Sequence, residues 1–109
     1  MKRGDVVLMV APGDFGKPRP GVIVQGDELG DDTTTVLVCP MSSDIRDSPR
    51  LRPIVEPNDK NGLRIRSQIM TEKVIPIRRD RIRRILGSLD LNSVDQLNGA
   101  LLLVLGLAR

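Results

Sequence analysis

The residue types present in this chain limit the chemistry that it can carry out. The sequence contains no histidine and a single cysteine, Cys39. A two-histidine ribonuclease mechanism and a Ser-His-Asp triad are therefore impossible, and a zinc site is effectively excluded because its usual ligands are missing. Any catalysis must come from Arg, Lys, Ser, Thr, Asp or Glu side chains or from backbone groups. We accordingly expect no metal and no other cofactor.

Two stretches carry side chains that suit contact with a polyanion. The run Arg78–Arg84 holds five arginines in seven residues. It could be a phosphate track, but a solvated face or a docking patch for an acidic peptide is the interpretation that we favour. The loop Gly13–Lys17 contains Phe15, the only aromatic residue of the chain. Phe15 could stack on a base or pack on the core or a partner subunit, and Lys17 could contact a phosphate.

The composition is that of a small globular protein. The 109 residues suffice for one domain, 1–109. The net charge of +3 is compatible with a nucleic-acid partner but does not identify one. One cysteine permits no internal disulfide and the N-terminus has no apolar leader, so we expect a cytoplasmic protein. The longest apolar run, Ala100–Leu105, is too short to span a bilayer.

Short apolar, β-branched segments separated by Gly, Pro and Asp dominate the first 78 residues and predict strands. The expected strands are Val6–Val10, Gly21–Gln25, Thr33–Cys39, Pro53–Glu56, Leu63–Met70 and Val74–Ile77. Apolar and polar residues alternate in Leu63–Met70, which predicts a half-buried strand with Gln68 on its polar outer face. Five to seven such strands predict a small twisted barrel.

Two helices are expected after these strands. Asp80 is a plausible N-cap for a short helix that runs to Leu86 and stops at Gly87. Asp90 can cap a longer C-terminal helix. That helix is apolar nearly all round, so we expect it to pack both on its own domain and on a partner subunit.

Several segments, in this order and spacing, resemble the MazF/PemK toxins of type II toxin–antitoxin systems. They are Lys2–Val7, Gly16–Gln25, Val38–Ser43, Ser67–Ile69, Gly87–Leu89 and Leu101–Leu107. The resemblance implies a mostly β fold with added α structure, a small SH3-like barrel of the CcdB/PemK type that forms homodimers through the barrel and the C-terminal helix. It also implies a metal-independent endoribonuclease that cuts single-stranded RNA and leaves 2′,3′-cyclic phosphate and 5′-hydroxyl ends.

The resemblance also implies roles for particular residues. Arg19 falls on the catalytic arginine of the family, and Ser42 falls where the family carries a catalytic Thr or Ser. Cleavage by a neighbouring 2′-hydroxyl builds negative charge at phosphorus, which the guanidinium fork can stabilise while a serine hydroxyl orients a phosphoryl oxygen. Phe15, Lys17, Ser43 and Gln68 are our candidates for RNA binding. Arg19 could equally be a surface residue, and the two serines could be ordinary turn residues.

Partners follow from the same resemblance. We expect a cognate antitoxin whose acidic, partly disordered C-terminal segment folds over the RNA groove, DNA contact only through that complex, and no membrane. The main alternative is a gyrase poison of the CcdB group, which shares the barrel and cuts nothing. That group relies on a Trp at its C-terminal tip, whereas this chain ends in Leu107-Ala108-Arg109 and contains no Trp. A third possibility is a catalytically dead relative that only binds.

Overall fold

Short β-branched segments pair into strands, and the leucine-rich end of the chain forms a helix. The structure is a computed structural model that describes residues 1–108. The strands are β1 (Asp5–Met9), β2 (Arg19–Ile23), β3 (Thr35–Ser42), β4 (Ile54–Val55), β5 (Ser67–Ile69), β6 (Ile75–Arg78) and β7 (Ile82–Ser88), and the helix is α1 (Leu91–Val104). The expected mostly β fold with a C-terminal helix is confirmed.

The strands form one curled antiparallel sheet in the order β4-β5-β3-β2-β1-β7. Strand β3 is its hub because three neighbours pair with successive parts of it. Thr35–Val38 pairs with β6, Val38–Pro40 with β2, and Met41–Ser42 with β5. The far end of β3 and the beginning of β2 therefore meet at one edge of the half-barrel.

Alternate strand residues fill two separate cores, because successive side chains point to opposite faces of a sheet. One core lies between the sheet and α1 and includes Val6, Cys39 and Leu97. The other is enclosed by the curl of the sheet and includes Val7 and Met9. Burial raises the pKa of the Cys39 thiol to about 12, which keeps it protonated and unreactive.

Helix α1 begins where the sequence predicted it. Its N-cap is Asp90, whose Oδ1 accepts a hydrogen bond from the Ser93 amide at 2.8 Å. This bond lowers the pKa of Asp90 because it favours the charged carboxylate. The helix buries Leu97 and Leu101 but leaves Leu102 exposed to solvent.

The predicted short helix from Asp80 to Leu86 is wrong. A single 3₁₀ turn, Arg79–Arg81, leads directly into β7, which pairs with β1. Helix propensity is a weak preference that tertiary pairing overrides, and β1 offers an open edge to this segment. Gly87 does not stop a helix but lets β7 approach the neighbouring turn, since a Cβ there would collide with the Lys60 carbonyl oxygen.

The predicted strand Leu63–Met70 is also largely wrong. Only Ser67–Ile69 is strand, and each of its three residues is buried. This segment lies between β3 and β4 in the sheet, so both of its edges are paired. Successive side chains point to opposite faces, so the burial of three consecutive residues shows that both faces are covered. Ile65, expected to point inward, is exposed.

Candidate active site

Arg19 and Ser42 lie at the same edge of the half-barrel. Strands β2 and β3 pair Gly21 with Pro40, and continuing that antiparallel register sets Arg19 opposite Ser42. Side chains of directly opposed residues share one face of a sheet. Both residues line a cleft of about 220 Å³, together with Lys17 and Ser43. Four of the six residues proposed from the sequence therefore border one cleft.

A carboxylate that the sequence analysis did not single out contacts the arginine. The Nε atom of Arg19 lies 2.8 Å from Oδ2 of Asp14, with 40% of the arginine and 17% of the aspartate side chain exposed. Asp14 Oδ2 accepts no well-aligned hydrogen bond, so the contact is an ion pair. It occupies the Nε edge of the guanidinium and, among residues 1–108, is the only ion pair that Arg19 makes.

Asp14 reaches Arg19 because the loop between β1 and β2 folds back in two tight turns. The Asp14 amide donates to the Ala11 carbonyl at 3.2 Å, and the Lys17 amide donates to the Asp14 carbonyl at 2.9 Å. Each turn contains one glycine with a positive φ angle, Gly13 in the first and Gly16 in the second, and glycine tolerates this conformation well. In the sequence, the role of Asp14 is indicated by a carboxylate in a glycine-containing loop close to Arg19. The spacing of these residues alone does not predict that the loop folds back onto Arg19.

Ser42 has a hydroxyl proton available for a ligand. Its Oγ accepts a hydrogen bond from the Asp44 amide at 3.1 Å. This is the turn that the sequence analysis gave as the alternative role for this serine. A hydroxyl that accepts from the backbone can still donate its own proton, so the turn orients Ser42 without consuming its donor. Ser43, next along, is exposed and lines the same cleft.

Gln68 is not on an exposed polar face, as the sequence predicted, but is fully buried. Its Oε1 accepts from the Arg46 amide at 2.8 Å, and its Nε2 donates to the Arg46 carbonyl at 2.6 Å. The Gln68 amide thus bonds both the N–H and the C=O of Arg46, as the backbone of a neighbouring strand would, in the loop that follows Ser42. In this structure, Gln68 holds that loop against β5 and has no surface with which to contact RNA.

The five arginines of the run Arg78–Arg84 differ in their contacts. Arg79 donates to Thr33 Oγ1 at 2.8 Å and thereby fixes the loop before β3. Arg78 pairs with Asp80 at 2.9 Å. The other three arginines are exposed and make no ion pair within residues 1–108; they are Arg81, Arg83 and Arg84.

Within residues 1–108, no three His, Cys, Asp or Glu side chains converge as metal ligands would. No helix in this range has the length and apolar character needed to cross a bilayer.

An arginine paired to a carboxylate, beside a free hydroxyl donor in an open cleft, forms a site suited to a phosphate group. The half-barrel with one C-terminal helix that carries this site matches a known class of small toxin. The family model for PemK-like, MazF-like toxins of type II toxin–antitoxin systems matches residues 2–105. The chain belongs to this family, as the sequence predicted, and the CcdB-type gyrase poison is not favoured.

Individual relatives agree with the family assignment. The chain is 37% identical over 109 residues, 99% of both chains, to "Probable endoribonuclease MazF" of Mycolicibacterium smegmatis. Its fold matches "Endoribonuclease in complex with its cognate antitoxin from Mycobacterial species" with a TM-score of 0.84 and 20% identity, covering 100% of this chain and 98% of the other. "Mycobacterium tuberculosis toxin MazF-mt6" matches with a TM-score of 0.82 and 20% identity, covering 96% and 99%.

Proposed function

We propose that this toxin is an endoribonuclease that cuts single-stranded RNA through attack of the 2′-hydroxyl on the neighbouring phosphate. The observation that carries the proposal is the convergence of Arg19 and Ser42 on one cleft, with Asp14 in ion-pair contact with the arginine. The name of the 37% identical relative supports it. The products would be 2′,3′-cyclic phosphate and 5′-hydroxyl ends.

Each of these residues has a distinct role in this reaction. As the 2′-oxygen bonds to phosphorus, charge grows on the non-bridging oxygens, and the free guanidinium edge of Arg19 stabilises it. The Ser42 hydroxyl donates to one of these oxygens and fixes its orientation. The bond from phosphorus to the 5′-oxygen then breaks, and that oxygen takes up a proton from water.

The proton of the attacking hydroxyl needs an acceptor. Arginine cannot serve, because a guanidinium group stays protonated throughout the physiological pH range. Asp14 is the carboxylate that contacts Arg19, and it can accept this proton once RNA is bound. The Arg19–Asp14 pair therefore combines charge stabilisation with proton removal in a chain that lacks histidine.

The first test is cleavage of a long single-stranded RNA in excess EDTA, with 5′ ends mapped after the reaction. We expect discrete cuts that carry 5′-hydroxyls for the wild type and none for Arg19→Ala. Arg19→Lys should also lose most activity, because a lysine ammonium lacks the planar fork that spans two phosphate oxygens. Full activity of either variant would overturn the role of Arg19. If the folded wild type cut no RNA, a gyrase supercoiling assay would test the rival mechanism.

Partner binding is a second part of the proposal. We infer a homodimer formed by the barrel and α1. The exposed Leu102 of α1 and Leu105, which follows the end of this helix, are suited to burial by another subunit. An antitoxin with an acidic C-terminal segment would cover the cleft, and DNA would be bound only through that complex. The structural relative that is in complex with its cognate antitoxin supports such a partner. We place this single functional domain in the cytoplasm, where the free Cys39 thiol stays reduced. Light scattering after size exclusion would measure the dimer.

A further inference from the structure

The loop between β1 and β2 borders a second cleft besides the one that holds Arg19. This second cleft has a volume of about 540 Å³, within the usual range for small-ligand sites. One wall is the loop itself and the other is the end of β6 with the following turn. Its lining includes Val10, Pro12, Phe15, Pro76, Arg78 and Arg81.

The Phe15 side chain lies beside this cleft. It is fully exposed, which excludes the sequence-based alternative that it packs on the core of its own chain. Its φ angle of 52° lies in the left-handed region, which is uncommon for a bulky residue. The two turns that direct Asp14 toward Arg19 hold Phe15 in this position. One loop thus places a carboxylate against Arg19 and an aromatic ring in solvent.

The charged groups of the second cleft are available to a ligand. Arg81 is exposed and has no ion-pair partner within residues 1–108. Arg78 pairs with Asp80 at 2.9 Å, but 66% and 61% of the two side chains are exposed, and water screens such pairs strongly. The cleft therefore combines apolar walls and a stacking ring with two guanidinium groups, which matches the base and phosphate of a nucleotide.

We propose that the second cleft binds a nucleotide of the same RNA strand that is cut at Arg19, outside the scissile bond. The base would stack on Phe15 and a phosphate would pair with Arg81. RNA is favoured over an acidic peptide because one loop lines both clefts, so a strand seated beside Lys17 and Arg19 reaches Phe15 by crossing that loop. This inference rests on the proposed ribonuclease function and extends its substrate contacts beyond the cut site.

Fluorescence anisotropy with labelled RNA tests the proposal in an Arg19→Ala background, which keeps the RNA intact. Two RNAs are compared: a short one that covers only the nucleotides beside the cut bond, and a long one that extends past it on both sides. Phe15→Ala should weaken binding of the long RNA about tenfold. Arg81→Ala should reduce the slope of log K against log salt by ~0.7. Binding of the short RNA should not change.

Arg83→Ala is the matched control, because Arg83 is an exposed arginine of β7 that lines neither cleft. It should leave both quantities unchanged. Normal binding of the long RNA by Phe15→Ala and Arg81→Ala would overturn the proposal, as would equal losses for both RNAs. Loss of affinity for a polyglutamate peptide with normal RNA binding would assign the cleft to an acidic peptide instead.

Failure of the proposed function has a separate signature. If wild-type protein cuts no RNA, the catalytic assignment fails, but the anisotropy comparison with the long RNA still decides the binding claim. Affinity lost in Phe15→Ala and Arg81→Ala, and retained in Arg83→Ala, would support the second cleft. Affinity retained in all three variants would refute it.

Discussion

Replacing Gln68 with methionine tests whether this residue fixes the loop after Ser42 or contacts RNA. Methionine keeps nearly the same volume in the buried position but removes both hydrogen bonds to Arg46. Each such bond contributes about 0.5–1.5 kcal/mol net. Arg46 is exposed and water can replace part of the loss, so we expect a destabilisation of about 2 kcal/mol. For a domain of this size that lowers the Tm by about 10 °C.

Gln25→Met is the matched control because it removes the same amide from a different site. The Gln25 amide also makes two hydrogen bonds, to Leu37 and Thr33, but both measure 3.2 Å and lie at exposed positions. Its Tm should fall by much less. Thermal melts and limited proteolysis of the loop after Ser42 would compare the two variants.

Cleavage kinetics complete the test of Gln68. If the amide only positions the loop, Gln68→Met should lower kcat through a displaced Ser42, and proteolysis should become faster in the same loop. An unchanged Tm combined with a large rise in KM would refute this reasoning. Such a result would mean that Gln68 leaves its buried site and touches RNA directly.

Three further predictions follow from individual contacts. Asp14→Asn should lower the cleavage rate by about 10²–10⁴-fold if Asp14 is the general base, with an unchanged Tm; an unchanged rate would exclude it. Gly87→Ala should lower the Tm because its Cβ meets the backbone of the adjacent turn, whereas Gly99→Ala, with open space around it, should not; equal melts would contradict this. Because the pKa of Asp90 is lowered in the folded state, its stabilising contribution is present above the ordinary pKa and is lost as the pH falls through the folded value. On acidification, the Tm of Asp90→Asn should therefore fall less than the Tm of the wild type. Parallel plots of Tm against pH for the two proteins would count against the capping role of Asp90.

Short strands with turn residues between them were predictable because their β-branched runs are bounded by Gly, Pro and Asp. The boundaries moved by about two residues, as β2 shows: it was expected at 21–25 and is found at Arg19–Ile23. This shift matters for the site, since it makes Arg19 a strand residue that pairs with Met9. A strand position restricts the backbone of this proposed catalytic arginine more tightly than the loop position implied by the sequence.

The errors share one physical cause. The alternation of polar and apolar residues stops indicating which side chains are exposed where contacts with neighbouring strands determine their burial. Gln68 lies in a strand covered on both faces, where alternation carries no information about burial. A glutamine can occupy such a position only if its amide is fully paired, and Arg46 supplies that pairing from 22 residues away in sequence. No local pattern encodes that partner. The same holds for Asp14, whose role follows from a loop that folds back on Arg19. The sequence therefore suggested candidates for phosphate contact, while the groups that hold those candidates in place became visible only in three dimensions.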